Sequence, residues 1–214
     1  MKALLLGSIS VLADTSEVQR AAFNQAFNEA GLDWYWSLDD YRAMLASSGG
    51  KDRLAGYAKA RGVEIDVDVL HRHKTEIFQD ALRAGRQRLR PLTAQAIEGA
   101  LDEGATVAVV SGTDKGSVEA LLTALGGADA LGVKCVLSAA DGLLAKPHPA
   151  LFQEALLRLG VKASEAVAIE DNLAGVAAAK AAGIPTFVYP NENTQTHDFA
   201  TTPHLRELSV AQAA

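Results

Sequence analysis

Five short apolar runs recur along the chain and predict the strands of a β-sheet. Each run is rich in valine, isoleucine or leucine and is almost continuously apolar rather than alternating. That pattern is typical of parallel strands that are covered on both faces. The predicted strands are residues 3–6, 106–110, 133–137, 166–169 and 186–189.

Amphipathic patterns between the later strands predict helices at residues 92–103, 115–125, 149–159 and 173–182. A glycine follows each of these helices, at the position where a left-handed residue commonly ends a helix. They are Gly104, Gly126, Gly160 and Gly183. The alternation of strand and helix indicates an α/β fold with a doubly wound parallel sheet, similar to a Rossmann core.

The stretch between the first and second strands interrupts this alternation. It has no strand pattern, but it has four helical patterns, at residues 17–30, 38–46, 51–61 and 66–85. We therefore predict a helical cap domain at residues 16–88, inserted into a core domain made of residues 1–15 and 89–214. Pro91 marks the return to the core, because proline suits the first turn of a helix. We expect the cap to face the strand ends that carry Ser111 and Asp171.

Composition narrows the possible functions of the chain. Its 214 residues are 49% hydrophobic and carry a net charge of −6, so it lacks the basic surface that nucleic-acid binding needs. No apolar run approaches the ~20 residues of a membrane span. The first 13 residues have the outline of a short signal peptide, but Gly7, Ser8 and Ser10 interrupt the apolar stretch. We expect a buried first strand and, with Cys135 as the single cysteine, a cytoplasmic protein.

Polar residues that could bind a ligand or take part in catalysis cluster where the predicted strands end. Ligands of open parallel sheets bind at that edge, because the carboxyl ends of the strands meet there. A hydroxyl with free amides at a helix start can bind an anion, a lysine supplies countercharge, and paired carboxylates suit Mg²⁺. Each feature alone also fits a helix cap or a surface charge. The segments are Gly7-Ser8-Ile9-Ser10, Ser111-Gly112-Thr113-Asp114, Lys146-Pro147 and Glu170-Asp171-Asn172.

In this order and placement, the segments resemble the motifs of the haloacid dehalogenase superfamily of phosphohydrolases. Ser111, Lys146 and the pair Glu170-Asp171 fall at its second, third and fourth motifs. The helical insert resembles the cap of the β-phosphoglucomutase-like subgroup. The segments RAAFN at 20–24, GLDW at 31–34, SGGKDR at 48–53 and THDF at 196–199 resemble xylulose-1,5-bisphosphate phosphatases.

This resemblance implies a Mg²⁺-dependent phosphatase whose ligand is a small phosphorylated sugar. It implies phosphate binding by Ser111, Gly112 and Lys146, and a metal held by Asp171 and Glu170. In the cap it implies substrate binding by Arg20, Asn24, Gly50, Lys51 and Arg53. Lys51 and Arg53 also fit a glycine turn with solvated cations, and Trp34 and Trp36 fit a cap core better than a ligand contact.

The first motif departs from the family pattern, which is D-x-D-G-[TV] directly after the first strand. Gly7 and Ile9 occupy the positions of the two aspartates, the nucleophile and the general acid/base. Neither residue can form an aspartyl-phosphate or transfer a proton. The metal loses a ligand as well, and Ser16 and Gln19 stand where the branch usually carries Glu and His. No catalytic residue of the first motif is intact.

Three hypotheses follow from this pattern. The first is a catalytically impaired relative that still binds a phosphorylated ligand, with Mg²⁺ weakly held or lost. The second is an active phosphatase with a relocated nucleophile, although Ser8 points away if strand alternation continues, Ser10 lacks an evident base and Asp14 falls beyond the turn. The third is a scaffold without a ligand. For the vacated site we expect Lys146 to pair with Asp171 or Glu170, because a buried ammonium without a partner is costly.

Overall fold

The computed structural model describes residues 1–45 and 49–211, with side chains described through residue 208. Within these residues a single five-stranded parallel sheet has the order β3-β2-β1-β4-β5. The strands are β1 (Ala3–Leu6), β2 (Thr106–Val110), β3 (Val133–Leu137), β4 (Ala166–Glu170) and β5 (Thr186–Val188). Each lies within one residue of its predicted bounds, so the predicted α/β fold is confirmed.

Ten α-helices lie in the described part of the chain. They are α1 (Ile9–Leu12), α2 (Ser16–Glu29), α3 (Leu38–Met44), α4 (Gly50–Arg61), α5 (Val67–Arg83), α6 (Pro91–Asp102), α7 (Lys115–Ala124), α8 (Ala150–Leu159), α9 (Leu173–Ala181) and α10 (Arg206–Ala211). The sequence patterns missed α1 and α10, because four to six residues are too few to show a helical period. None of the described helices has the length and apolarity that spanning a bilayer would take.

The central strand β1 explains why the strands read as continuously apolar. Leu4 and Leu6 pack into one core layer together with α6 and α7, whereas Ala3 and Leu5 pack into a second layer with α8 and α9. Every residue of β1 is fully buried, since helices cover both faces of the sheet. The ends of β1, β2 and β4 therefore lie side by side, with Leu6 in register with Val109 and Ile169.

Helices α2 to α5 surround a core of their own. Phe23, Phe27, Trp36 and Leu54 are almost fully buried there, and Trp34 is 4% exposed. This confirms that the two tryptophans fill the interior of the insert. Helix α5 of the insert packs against α7 of the remainder of the chain. The described residues between α2 and α5 contain no strand, as the pattern indicated, while the division into two domains stays a prediction.

Candidate active site at the strand ends

Lys146 joins three of the predicted motifs at the carboxyl edge of the sheet. Its ammonium donates hydrogen bonds to the carbonyl oxygens of Gly7 and Val110, the second at 2.8 Å. It also forms an ion pair with Glu170 Oε1 at 2.5 Å, and both side chains are buried. The expected pairing of Lys146 with Glu170 is confirmed. Because an ammonium has three protons, these contacts use its full donor capacity.

Glu170 fills the space that a side chain at position 7 would need. A Cβ atom added to Gly7 would lie 2.2 Å from Glu170 Oε1, and one added to Gly175 would lie 2.1 Å from its Cδ. The side chain of Glu170 thus extends between two glycines and is fully buried. Burial raises the pKa of Glu170 to about 7, while Lys146 acts in the opposite direction. The position of the family's nucleophile is occupied by a carboxylate from the fourth motif.

Asp171 is held by hydrogen-bond donors on both carboxylate oxygens. Oδ1 accepts from Ser8 Oγ at 2.8 Å and from Asn172 Nδ2 at 2.9 Å, and Oδ2 accepts from Asn191 Nδ2 at 2.6 Å. The contact with Ser8 contradicts the expectation that Ser8 points away from the site. That expectation was wrong because β1 ends at Leu6, and Ser8 is instead the N-cap of α1.

The side chains present do not fit the Mg²⁺ that the resemblance to haloacid dehalogenase phosphohydrolases implies. Gly7 offers no side chain, and Ile9 is 2% exposed with its side chain in the apolar core. Glu170 is paired with Lys146, and the oxygens of Asp171 already accept three hydrogen bonds. The described residues contain no group of three carboxylate, histidine or cysteine side chains that could hold a metal. Mg²⁺ needs several oxygen ligands in octahedral geometry, and a single engaged carboxylate does not provide them.

The second motif lies at the same edge. Ser111 directly follows the Val110 carbonyl that binds Lys146, and its buried Oγ accepts a hydrogen bond from the Thr113 amide at 3.1 Å. Gly112 is exposed. Asp114 is the N-cap of α7, where it accepts from the Ser117 amide at 2.9 Å. The segment therefore starts a helix, and the turn before that helix is exposed at Gly112.

Two of the predicted cap residues support the backbone of Trp36. Arg20 Nη1 donates to the Trp36 carbonyl at 2.9 Å, and Asn24 bonds both the carbonyl and the amide of Trp36, at 3.0 and 2.8 Å. Arg20 also pairs with Glu17. Arg20 and Asn24 therefore have a structural role inside the insert, because they hold the backbone of Trp36 in place.

The basic residues of the glycine turn have partners within the insert as well. Lys51 forms an exposed ion pair with Asp68 at 2.5 Å. Arg53 donates to the Met44 carbonyl at 3.3 Å, and its guanidinium lies 5.3 Å from the centre of the Tyr41 ring. Ser48, which the motif includes, lies outside the described residues.

Lys74 is a buried cation that sequence reasoning missed. It is 5% exposed, donates to the neutral Gln19 Oε1 at 2.6 Å, and lies over the rings of Phe23 and Phe78. Burial lowers its pKa to about 7, and nearby Asp114 acts in the opposite direction. A signal was available, because Lys74 occupies the apolar stripe of α5 between Leu70 and Phe78.

His71, one turn earlier on α5, lies beside the predicted residue Gly50. A Cβ atom at Gly50 would lie 2.7 Å from His71 Nε2, so the glycine permits this close approach. Burial, followed by the charge of Lys74, lowers the pKa of His71 to about 4. The imidazole is therefore neutral at pH 7, whereas Lys74, with a pKa of about 7, is about half protonated there.

A parallel sheet with these motifs at its carboxyl edge and a helical insert after β1 defines a class of hydrolase. Residues 2–183 match the model of the haloacid dehalogenase-like hydrolase family, and the chain belongs to that family. The predicted membership is thereby confirmed.

Within this family, the chain is similar to the CbbY proteins. The chain is 35% identical over 216 residues to Protein CbbY of Rhodobacter capsulatus, covering 99% of this chain and 95% of the relative. The crystal structure of CbbY from Rhodobacter sphaeroides in complex with phosphate has a TM-score of 0.86 at 34% identity, covering 95% of this chain and 92% of that chain. A mutant of that protein in complex with xylulose-(1,5)bisphosphate matches with a TM-score of 0.86 at 33% identity and the same coverage.

The buried Lys74 predicts an unusual pH dependence of stability. Its pKa of about 7 in the folded state lies below its unfolded value of 10.5, so the unfolded chain binds more protons between these pH values. Stability should therefore gain from this residue as pH rises from 7 toward 10, by at most about 1.4 kcal/mol per pH unit. Urea unfolding of the wild type and of Lys74→Met at several pH values measures this contribution.

We expect Lys74→Met to be more stable than the wild type at pH 7 and to lose that advantage at higher pH. Lys59→Met, at an exposed lysine of α4, is the matched control and should follow the wild-type profile. Parallel profiles for all three proteins would contradict the prediction.

Proposed function

We propose that this protein binds a small phosphorylated sugar between the strand ends and the helical insert, and that its phosphatase activity is severely impaired. The observation that carries this proposal is the side chain of Glu170 in the space next to Gly7. The carboxylate that attacks phosphorus in the family is missing, and the space it would enter is filled.

Glu170 does not replace the missing nucleophile. It is fully buried and its Oε1 is bound to Lys146, so it has neither access to a phosphorus atom nor a free attacking oxygen. Ile9 packs in the apolar core at the position of the proton donor, and it cannot protonate a leaving group. Loss of a nucleophile from groups that act as a unit lowers rates by on the order of 10⁶.

Recognition of anions has more support than catalysis. The relatives of this chain have been solved with phosphate and with xylulose-(1,5)bisphosphate. Gly112 is exposed in the turn before the ten-residue helix α7, whose N-terminus favours negative charge and is capped by the Asp114 carboxylate. Lys74 is an almost fully buried ammonium whose hydrogen bond goes to neutral Gln19. We expect a ligand with two phosphate groups to place one of them near Gly112 and the other near Lys74.

A second candidate function is a phosphatase that uses Ser8. Its Oγ lies 2.8 Å from Asp171 Oδ1, and a carboxylate at that distance can accept a proton from an attacking hydroxyl. Against this, Ser8 Oγ also accepts a hydrogen bond from the Val11 amide as the cap of α1. The candidate makes a distinct prediction, since only this reaction depends on the hydroxyl of Ser8.

We expect the protein to bind the ligand without hydrolysing it at an ordinary enzymatic rate. We expect calorimetry to detect xylulose 1,5-bisphosphate binding to the wild type, with phosphate release at or near the background rate, with and without Mg²⁺. Lys74→Met should weaken bisphosphate binding about tenfold or more, because a hydrogen bond to a charged group contributes about 1.5–3 kcal/mol. Lys59→Met should leave it unchanged.

The other hypotheses give different results. Phosphate release at an ordinary enzymatic rate that disappears in Ser8→Ala would establish the relocated nucleophile. A folded wild type that binds neither inorganic phosphate nor the bisphosphate would favour the scaffold.

Restoring the first motif should restore turnover. Gly7→Asp combined with Ile9→Asp returns the nucleophile, the proton donor and a metal ligand, but the new side chain at position 7 must displace Glu170. We expect the double variant to be less stable and to release phosphate from a small aryl phosphate only with Mg²⁺. Each single variant should stay inactive, because attack and protonation are both required.

The double variant Gly7→Asn with Ile9→Asn is the matched control, since it has nearly the same shape without a nucleophile. It should fold and remain inactive. If the aspartate double variant folds and is inert, adding Glu170→Ala tests whether Glu170 blocks the site. An inert, folded triple variant would show that the loss of function extends beyond the first motif.

A further inference from the structure

The loop after β5 lies between the sheet and the helical insert. We call residues 190–194 the latch loop. Three of its side chains are polar and buried, since Asn191, Asn193 and Thr194 are 6%, 0% and 3% exposed. Buried amides need partners, because an unpaired polar group in the interior is destabilising. Their partners lie on both sides of the loop.

On the side of the sheet, the loop is tied to the candidate active site. Asn191 Nδ2 donates to Asp171 Oδ2, and Asn191 Oδ1 accepts from the amides of Asn193 and Thr194 at 2.8 and 3.1 Å. The amide of Glu192 donates to Asp14 Oδ2 at 2.9 Å. The loop conformation and the orientation of the Asp171 carboxylate therefore depend on the same asparagine.

Arg90 supports the start of the loop from the core. It donates to the carbonyl oxygens of Tyr189 and Pro190 at 2.9 and 2.6 Å, and also to the carbonyl of Ser10 at 2.9 Å. Its guanidinium lies 3.4 Å from the centre of the Tyr189 ring. The base of the latch loop is thereby fixed to the core.

On the side of the insert, Asn193 is bound by two helices. Its Nδ2 donates to Glu17 Oε1 of α2 at 2.9 Å, and its Oδ1 accepts from Arg42 Nε of α3 at 3.2 Å. Arg42 Nη2 also donates to the Glu192 carbonyl at 3.1 Å. Both ends of a fully buried amide are thus satisfied by side chains of the insert. If the insert moved away from the sheet, the amide and Glu17 would lose these partners together.

We propose that the latch loop holds the helical insert closed over the strand ends, with Asn193 and Arg42 as the positioning residues. The chain connects the insert to the core at residues 13–15 and 84–90, and α5 packs against α7. The latch loop adds side-chain hydrogen bonds to α2 and α3 that neither the connections nor this packing provides. Since Asn191 of the same loop binds Asp171, a group that displaces Asn191 from Asp171 also loosens the insert. This inference concerns the position of the insert and does not depend on the proposed ligand.

The test measures the distance between the insert and the core in the full chain. Donor and acceptor dyes are attached at Glu64→Cys in the insert and at Gln153→Cys on α8, both exposed positions, in a Cys135→Ser background. Asn193→Asp places a carboxylate against Glu17 and should increase the open population about tenfold or more, as expected for the loss of a hydrogen bond to a charged group. Adding Glu17→Gln restores a donor opposite the new carboxylate and should return the closed distance.

Rescue by the second substitution separates pairing from a general loss of structure, which Glu17→Gln would not repair. Arg42→Ala provides an independent variant at a partly exposed position and should also open the insert. Arg72→Ala, at an exposed arginine on α5, is its control and should keep the wild-type distance. An unchanged distance in both Asn193→Asp and Arg42→Ala, or failure of Glu17→Gln to restore a folded Asn193→Asp variant, would overturn the proposal.

Discussion

The buried ion pair between Lys146 and Glu170 is the interaction on which the strand-end site depends. It joins the loop before α8 to the end of β4, and through the carbonyls of Gly7 and Val110 it also joins the ends of β1 and β2. Removing one partner of a buried pair is strongly destabilising, by about 3–5 kcal/mol, because the other charge is left uncompensated. The pair thus gives Lys146 and Glu170 a structural role at the strand ends. Lys146 thereby holds the ends of three strands together.

The other buried carboxylate at the strand ends also has compensating partners. Asp171 has three hydrogen-bond donors, and Glu170 has an ammonium. Lys74 remains the exception, since its main contacts are an amide oxygen and two aromatic rings. Aromatic faces attract a cation but compensate less than a carboxylate does. The buried cation of the insert is therefore less fully compensated by its neighbours than the charges at the strand ends are.

The fold was largely predictable from the sequence, because parallel strands covered on both faces give an unmistakable apolar run. Pairing of Lys146 with a carboxylate was predictable too, since motif order fixes which strand ends meet. The orientation of Ser8 was not, because it depends on β1 ending at Leu6 and on the short helix that follows. The contacts of Asn193 could not be predicted from the sequence either, because residues 17, 42 and 193 are brought together only by tertiary packing. The importance of Lys74 was visible in principle, as a lysine in an apolar helical stripe.

Gly7 and Gly175 together leave the space that the side chain of Glu170 occupies. The inward position of Glu170 requires that neither position 7 nor position 175 carries a Cβ atom, so the two glycines constrain each other through a third residue. A chain with alanine at position 175 has no room for this conformation and would leave Lys146 without its carboxylate. Substitutions at positions 7, 170 and 175 are therefore epistatic. An acid introduced at position 7 meets the space that Glu170 fills, so its effect depends on the residues at the other two positions.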